Sequence, residues 1–277
     1  MGAIQTAFAA SQILGLPAGL YFSNHWGWHA PFLVIVALGL VVGVGMVLVM
    51  KPIDAHLSYK MDRSAFRHLY VTLMNGRHLW AFCTMAILSV GGFMLMPFAS
   101  AFTTNNVGIA MTDLPIIYLA TGLSTIVVAP IIGKLSDRIG VVRTFMGGSI
   151  LSLITIPIYT NLGVTPLWIV VVINIVMFVG IFSRMIPSQT LMSAIPEPAN
   201  RGAFMSLGSS LQQIAGGLAS VVSGLIVLQD ANGHILHYDT VGYILMATAV
   251  VSIFMIYRLN GMAAIAHSAG AKPLEVS

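Results

Sequence analysis

The first fifty residues of this chain contain no Asp, Glu, Lys or Arg. A run of that length without charge leaves few options in water. Beyond it, charges occur in short clusters between further apolar stretches of about 20 residues, each enough to cross roughly 30 Å of hydrocarbon. Eight stretches can be read: Gly2–Phe22, Ala30–Met50, His78–Phe102, Leu114–Gly133, Thr144–Thr160, Pro166–Thr190, Gly202–Leu228 and Thr240–Tyr257. The segments joining an odd stretch to the next even one hold no Lys or Arg. The twelve basic residues fall in the other set or, for Arg184, toward the end of the stretch that adjoins it: Lys51, Lys60, Arg63, Arg67, Arg77, Lys134, Arg138, Arg143, Arg184, Arg201, Arg258 and Lys272. Random placement gives such a split roughly once in two thousand trials, whereas the positive-inside rule requires it. The expectation is an all-α integral membrane protein of eight transmembrane helices, with both termini and the Gly133–Arg143 connection on the cytoplasmic side.

Composition excludes other classes. With 57% hydrophobic and 7% charged residues, the chain has too little polar surface to cover a soluble globule. The net charge of +4 is spread over several loops without interleaved aromatics, so it reads as topology and not as a nucleic-acid footprint. Cys83 is the single cysteine, which excludes an intramolecular disulfide and CxxC chemistry. The first apolar run lacks a basic leader and continues into a second, unlike a cleavable signal peptide. No Asn-x-Ser/Thr acceptor occurs, and with the short loops this suits a bacterial inner (plasma) membrane. His25 and His29 have the i, i+4 spacing of paired metal ligands. Yet His56, His68 and His78 fall on the opposite side, and His234 and His237 stand far along the chain. No metal, no other cofactor and no enzymatic activity are therefore expected.

The stretches divide as residues 1–50, a helix pair; 51–77, a cytoplasmic linker; 78–259, six helices; and 260–277, a cytoplasmic tail. Within the linker, Ser64–Leu73 could lie on the membrane surface as an amphipathic helix. Trp26 and Trp28, between the first two stretches, would sit at outer headgroup level. Prolines fall inside stretches at Pro17, Pro97, Pro130, Pro157 and Pro187, where each removes a backbone hydrogen bond and favours a kink. Small residues recur at fourfold spacing: Gly15 with Gly19, Gly39 with Gly43, and Gly216, Ser220 and Gly224. Such stripes allow close helix approach, and both static packing and sliding surfaces use them.

The fourth and fifth stretches are joined by Gly133-Lys134-Leu135-Ser136-Asp137-Arg138-Ile139-Gly140-Val141-Val142-Arg143. A connection this tight needs glycine where the chain leaves and re-enters helix. Asp137 is placed to accept from exposed helix-end N–H groups. Arg138 and Arg143 would anchor at inner headgroups or pair with carboxylates. The string resembles the cytoplasmic loop signature of the major facilitator superfamily, Gly-x-Leu-x-Asp-Arg-x-Gly-Arg-Lys-Arg. Gly133, Leu135, Asp137, Arg138, Gly140 and Arg143 match, while Val141 and Val142 replace two usual basic residues. Gly15-Leu16-Pro17-Ala18-Gly19 is similar to the Gly-Pro-x-x-Gly signature of that family's antiporters, with Leu16 interrupting it. Trp28–Phe32 resembles the opening of family helix 6, and Asn200-Arg201-Gly202 that of helix 11.

The resemblance implies a partial major-facilitator fold: a complete C-terminal six-helix half plus two helices of the N-terminal half, equivalent to family helices 5 to 12. It implies a secondary active transporter of small molecules working by alternating access, near the drug or sugar efflux permeases and antiporters. An N-terminally truncated chain would need an upstream fragment supplying four helices. A structural, non-transporting membrane subunit is the rival reading. No acidic residue lies inside a stretch, so a coupling proton would be carried elsewhere, in those four helices. Gln12, Asn174, Gln212 and Gln213 are candidates to line the pathway. Ser11, Thr84, Ser89, Thr121, Ser124, Thr125, Ser183, Ser209 and Ser210 either join them or bond back to their own helices. Arg184 either snorkels to the inner headgroups or pairs with Asp137 as a gate latch, and Arg201 is a second candidate gate partner.

Overall fold

The computed structural model describes residues 15, 18–19, 21–23, 25–50, 73–196 and 200–270, with side chains to Met262. Gln12, Pro17, most of the linker and the last seven residues lie outside that set. The described helices are α1 (Ala30–Val49), α2 (Gly76–Asn105), α3 (Leu114–Ile139), α4 (Val141–Thr160), α5 (Leu167–Ala194), α6 (Arg201–Ile226) and α7 (Tyr238–Gly270). Each coincides with an expected stretch to within a few residues, except that α7 continues to Gly270, into the segment read as a polar tail. The described positions among residues 15–26 are helical as well. Six of the helices, α1 to α5 and α7, are long and apolar enough to span a membrane. The chain is a multi-pass membrane protein. α6 falls short of that apolarity because Ser206, Ser209, Ser210, Gln212 and Gln213 interrupt it.

Local chemistry sets the helix ends. The Asn75 side chain accepts from the backbone N–H groups of Arg77 and His78 at the start of α2, filling donors that a first turn leaves unpaired. α3 and α4 are divided by one residue, Gly140, whose φ of +96° is open to glycine and costly for other residues. Between α6 and α7 the chain forms a small antiparallel hairpin, β1 (Leu228–Gln229) with β2 (Ile235–Leu236). Asn106, at the end of α2, fixes that hairpin. Its Nδ2 donates to the Ile235 carbonyl and its Oδ1 accepts from the Ile235 N–H, both at 2.8 Å, imitating one rung of a strand ladder.

Pairing among α2 to α7 is symmetrical. α2 packs on α6 as α5 packs on α3, α4 packs on α5 as α7 packs on α2, and α4 packs on α7. Exchanging α2, α3, α4 for α5, α6, α7 reproduces the whole pattern with helix direction reversed, which is an inverted three-helix repeat. Arg77, at the start of α2, donates from Nη2 to the Ile195 carbonyl at the end of α5, 3.2 Å away. This contact and the joints α3–α4 and α5–α6 put Arg77, Lys134, Arg138, Arg143 and Arg201 at one end of the bundle, with Arg258 late on α7. We call it the basic end. The charge segregation read from sequence is thus a spatial fact for these six residues.

Two apolar clusters fill the bundle. One near the basic end includes Phe82, Phe145, Leu191, Phe204, Ile256 and Leu259. The other includes Met94, Phe102, Tyr159, Val170, Tyr238 and Leu245. Side chains outside these clusters, such as Leu123, Val127, Ile150 and Phe254, are exposed, as befits helices solvated by lipid. No residue of α1 is buried.

The small-residue stripes separate into working and idle positions. Gly216 faces the Phe93 ring and Gly208 faces Met85, so α6 lies close on α2. Gly15, Gly19, Gly39, Gly43 and Gly224 have nothing within 4 Å of a built Cβ. Among the described residues, no close approach is made at those five. A close crossing, Gly148 on α4 against Gly180 and Ser183 on α5, belongs to no expected stripe.

Candidate functional site

The loop motif is not a loop. Gly133 through Ile139 are the last two turns of α3, and Gly133 is an ordinary helical residue with open space around it. Only Gly140 performs the turn expected of the motif's glycines. Asp137 is exposed and does not cap α4, and Gly140, which holds the N-cap position, has no side chain with which to do so. A carboxylate in the last turn of α3 sits at the negative end of that helix dipole, so the expected capping role is not realised. Arg138 and Arg143 are exposed as well.

Nor is the expected Arg184–Asp137 latch formed. Arg184 is partly buried and donates from Nη2 to Ser252 Oγ of α7 at 3.0 Å. Its guanidinium lies 5.6 Å from the centre of the Phe145 ring of α4, within cation–π range. The reason is geometric: α5 packs mainly on α4 and α3, and Arg184 leaves it on the α4 side, where it is held by Phe145 of α4 and Ser252 of α7, while Asp137 stays exposed on α3. Arg201 opens α6, is exposed, and has no ion pair among the described residues.

Nε of Arg184 is buried without a partner. A buried cation lacking a carboxylate contributes little net stability, and an apolar side chain of similar length often serves as well. Arg184→Met should therefore leave the unfolding free energy within about 1 kcal/mol of the parent or raise it. Thermal unfolding in detergent reads this directly, and a large loss would mean that the Ser252 and Phe145 contacts hold the seam together.

Most hydroxyls in the bundle bond back to their own helices. Thr84 donates to Trp80, Thr121 to Ile117, Ser124 and Thr125 to Thr121, and Thr155 to Leu151. Asn174 does the same: it is buried, and its Nδ2 donates to the Val170 carbonyl at 3.0 Å. Among the described residues, this candidate lining residue is therefore covered and bonded within its own helix.

α6 differs. Gln213, Ser209 and Ser206 are exposed at helical spacing along one face, with Gln212 partly covered beside them. The side chains of Ser209, Gln212 and Gln213 have no hydrogen-bond partner among the described residues. The opposite face of the helix meets α2, where Ser89 Oγ donates to the Gln212 carbonyl at 3.1 Å. Farther along, Leu218, Val221, Val222 and Leu225 take over the exposed face. Unpaired amides and hydroxyls are costly against hydrocarbon, so this stripe requires water or a polar partner. Acidic residues within the described helices are confined to Asp137 and Asp239, both in terminal turns, and the face is uncharged. Among the described residues no cluster of His, Cys, Asp and Glu could hold a metal.

The family model of the Major Facilitator Superfamily matches residues 1–220 and 81–273. The chain belongs to the major facilitator superfamily. Its inverted three-helix repeat is the arrangement found within each half of these proteins. Relatives in the superfamily include the uncharacterized MFS-type transporter YbcL of Bacillus subtilis, 24% identical over 248 residues, or 89% of this chain and 62% of the relative. The human MFS-type transporter SLC18B1 is 27% identical over 200 residues, or 68% of this chain and 41% of the relative. A third, the uncharacterized MFS-type transporter YceJ of Bacillus subtilis, is 25% identical over 167 residues, or 58% of this chain and 42% of the relative. The chain thus spans less than two thirds of the length of each of these superfamily members.

Proposed function

We propose that this chain supplies one wall of a secondary transporter that moves a small solute across the membrane by alternating access. The observation that carries this reading is the unpaired Ser206–Ser209–Gln213 face of α6. In the superfamily's general mechanism the solute site lies near mid-membrane, between two helical halves that rock against each other. α6 would present its amides to that site, with Gln212 and Gln213 hydrogen-bonding the solute. The basic end would face the cytoplasm of a bacterial inner membrane, with both termini on that side. A drug-like or sugar-like solute moved outward suits the likeness to efflux antiporters. The described helices hold no carboxylate away from their ends, so proton coupling would fall to the opposing wall, formed by four further helices.

The test is solute accumulation in sealed membrane vesicles, with the chain alone and with the four preceding helices of a superfamily relative supplied in trans. Counterflow of a labelled sugar or cationic dye is expected with both parts and lost with either part alone. Equal flux with and without the chain would reject the reading.

A further inference from the structure

We infer that the outer seam between α4 and α7 is a binding site for an anionic phospholipid. A wholly apolar groove of about 430 Å³ runs along this seam, lined by Met146, Val250, Ile253, Phe254 and Tyr257. It lies apart from the polar face of α6: α4 packs on α5 and α7, and α7 meets α6 far less than it meets α2 and α4.

The register of the seam follows from one contact: a Cβ at Gly242 would meet the Thr160 side chain. From that level α4 runs back to Arg143 and α7 runs forward to Arg258. Each distance is about 25 Å at 1.5 Å per residue, so the two arginines stand at one depth, at the basic end of the groove. Arg143 precedes Met146 by a single turn on the same face. Arg258 lies over the Phe254 ring, 5.5 Å from its centre, which holds its guanidinium against the groove wall. Both arginines are exposed, and neither has an ion-pair partner among the described residues. Asp137, on the preceding helix, pairs with neither.

An apolar trough closed at one end by two unpaired guanidinium groups matches one kind of occupant. Its acyl chain would fill the trough, and its phosphate would accept from the arginines in charge-assisted hydrogen bonds. A zwitterionic headgroup carries its own cation near the phosphate and gains less from such a pair. An anionic headgroup, which basic residues at membrane surfaces attract, gains from both.

The test uses the full chain purified in detergent and stripped of lipid, with retention of phosphatidylglycerol or phosphatidylcholine counted by native mass spectrometry. Phosphatidylglycerol should bind at least tenfold more tightly, and Arg143→Gln with Arg258→Gln should abolish that preference. Val250→Trp or Met146→Trp should fill the trough and weaken retention of either lipid at least tenfold with both arginines in place. Both Trp positions are exposed, so neither change disturbs the core. Equal retention of the two lipids, a preference that survives the double Arg change, or indifference to both Trp changes would each overturn the assignment.

Discussion

Gly148→Leu should leave no folded protein to recover from the membrane, while Gly147→Leu, one residue earlier, should be tolerated. A Cβ at Gly148 would run into the Cβ of Ser183 and lie 2.8 Å from its carbonyl carbon and 3.0 Å from the Gly180 carbonyl oxygen. These are mostly backbone atoms, which have no rotamer to escape into. At Gly147 nothing lies within 4 Å. Because α4 and α5 form the most extensive pairing in the bundle, with Gly180 similarly placed against Ser152, separating them by the width of a side chain removes contacts along both helices. Overpacking by a single methyl typically costs about 1–3 kcal/mol, so Gly148→Ala should destabilise by that amount and remain measurable. Leucine adds three more carbons against a total stability of roughly 5–15 kcal/mol. Recovery as a monodisperse peak on gel filtration distinguishes the outcomes. Equal recovery of the two leucine variants would mean that the crossing is looser than the geometry requires.

Ser220→Ala should cost about 1–2 kcal/mol, and the cost should vanish when Pro97 is also replaced by Ala. Pro97 has no N–H, so the carbonyl of Phe93, one turn earlier in α2, loses its helical donor. Ser220 of α6 supplies the missing hydrogen bond at 2.9 Å. The next two carbonyls are held from outside too: Ser223 donates to Met94 at 2.8 Å, and Tyr238 of α7 donates to Leu95 at 3.1 Å. Interhelical hydrogen bonds in membranes average about 0.6 kcal/mol because the separated helices find other partners. Phe93 is an exception, since its carbonyl has no helical donor to return to, and a carbonyl left unsatisfied away from water costs about 1–3 kcal/mol. In Pro97→Ala the restored N–H satisfies Phe93 within the helix. A double-mutant cycle in thermal or denaturant unfolding therefore carries a coupling near the whole single-mutant effect. Additive effects would show that Ser220 acts only by packing.

How far the sequence reveals this molecule depends on the range of the physics involved. A span must be about 20 apolar residues long, so its position is written locally, and α1 to α7 fall where apolar runs place them. Basic residues gather at one end for an equally local reason. The hairpin at Leu228–Leu236 was concealed because Ile226, Val227 and Leu228 extend an apolar run, and their role is decided by Asn106 more than 120 residues away. Pro97 announced a kink, but nothing nearby could say that Ser220, Ser223 and Tyr238 would hold it. Asn174 and Gln213 look alike in sequence as amides among apolar neighbours. Packing separates them, burying the first against its own helix and leaving the second exposed. Arg184 was marked by its charge, whereas its partners Phe145 and Ser252 belong to two other helices and carried no signal of their own.

Cysteine accessibility along α6 tests the proposed solute wall most directly. In full-length chain carrying Cys83→Ser, assembled in native membranes, a cysteine reacts with N-ethylmaleimide only where water lets its thiol ionise. Gln213→Cys and Ser209→Cys should label at rates approaching that of Asn232→Cys in the exposed hairpin, while Val250→Cys on the lipid-facing seam stays unmodified. If Gln213→Cys proves as inert as Val250→Cys, that face of α6 is dry and does not line a path for solute.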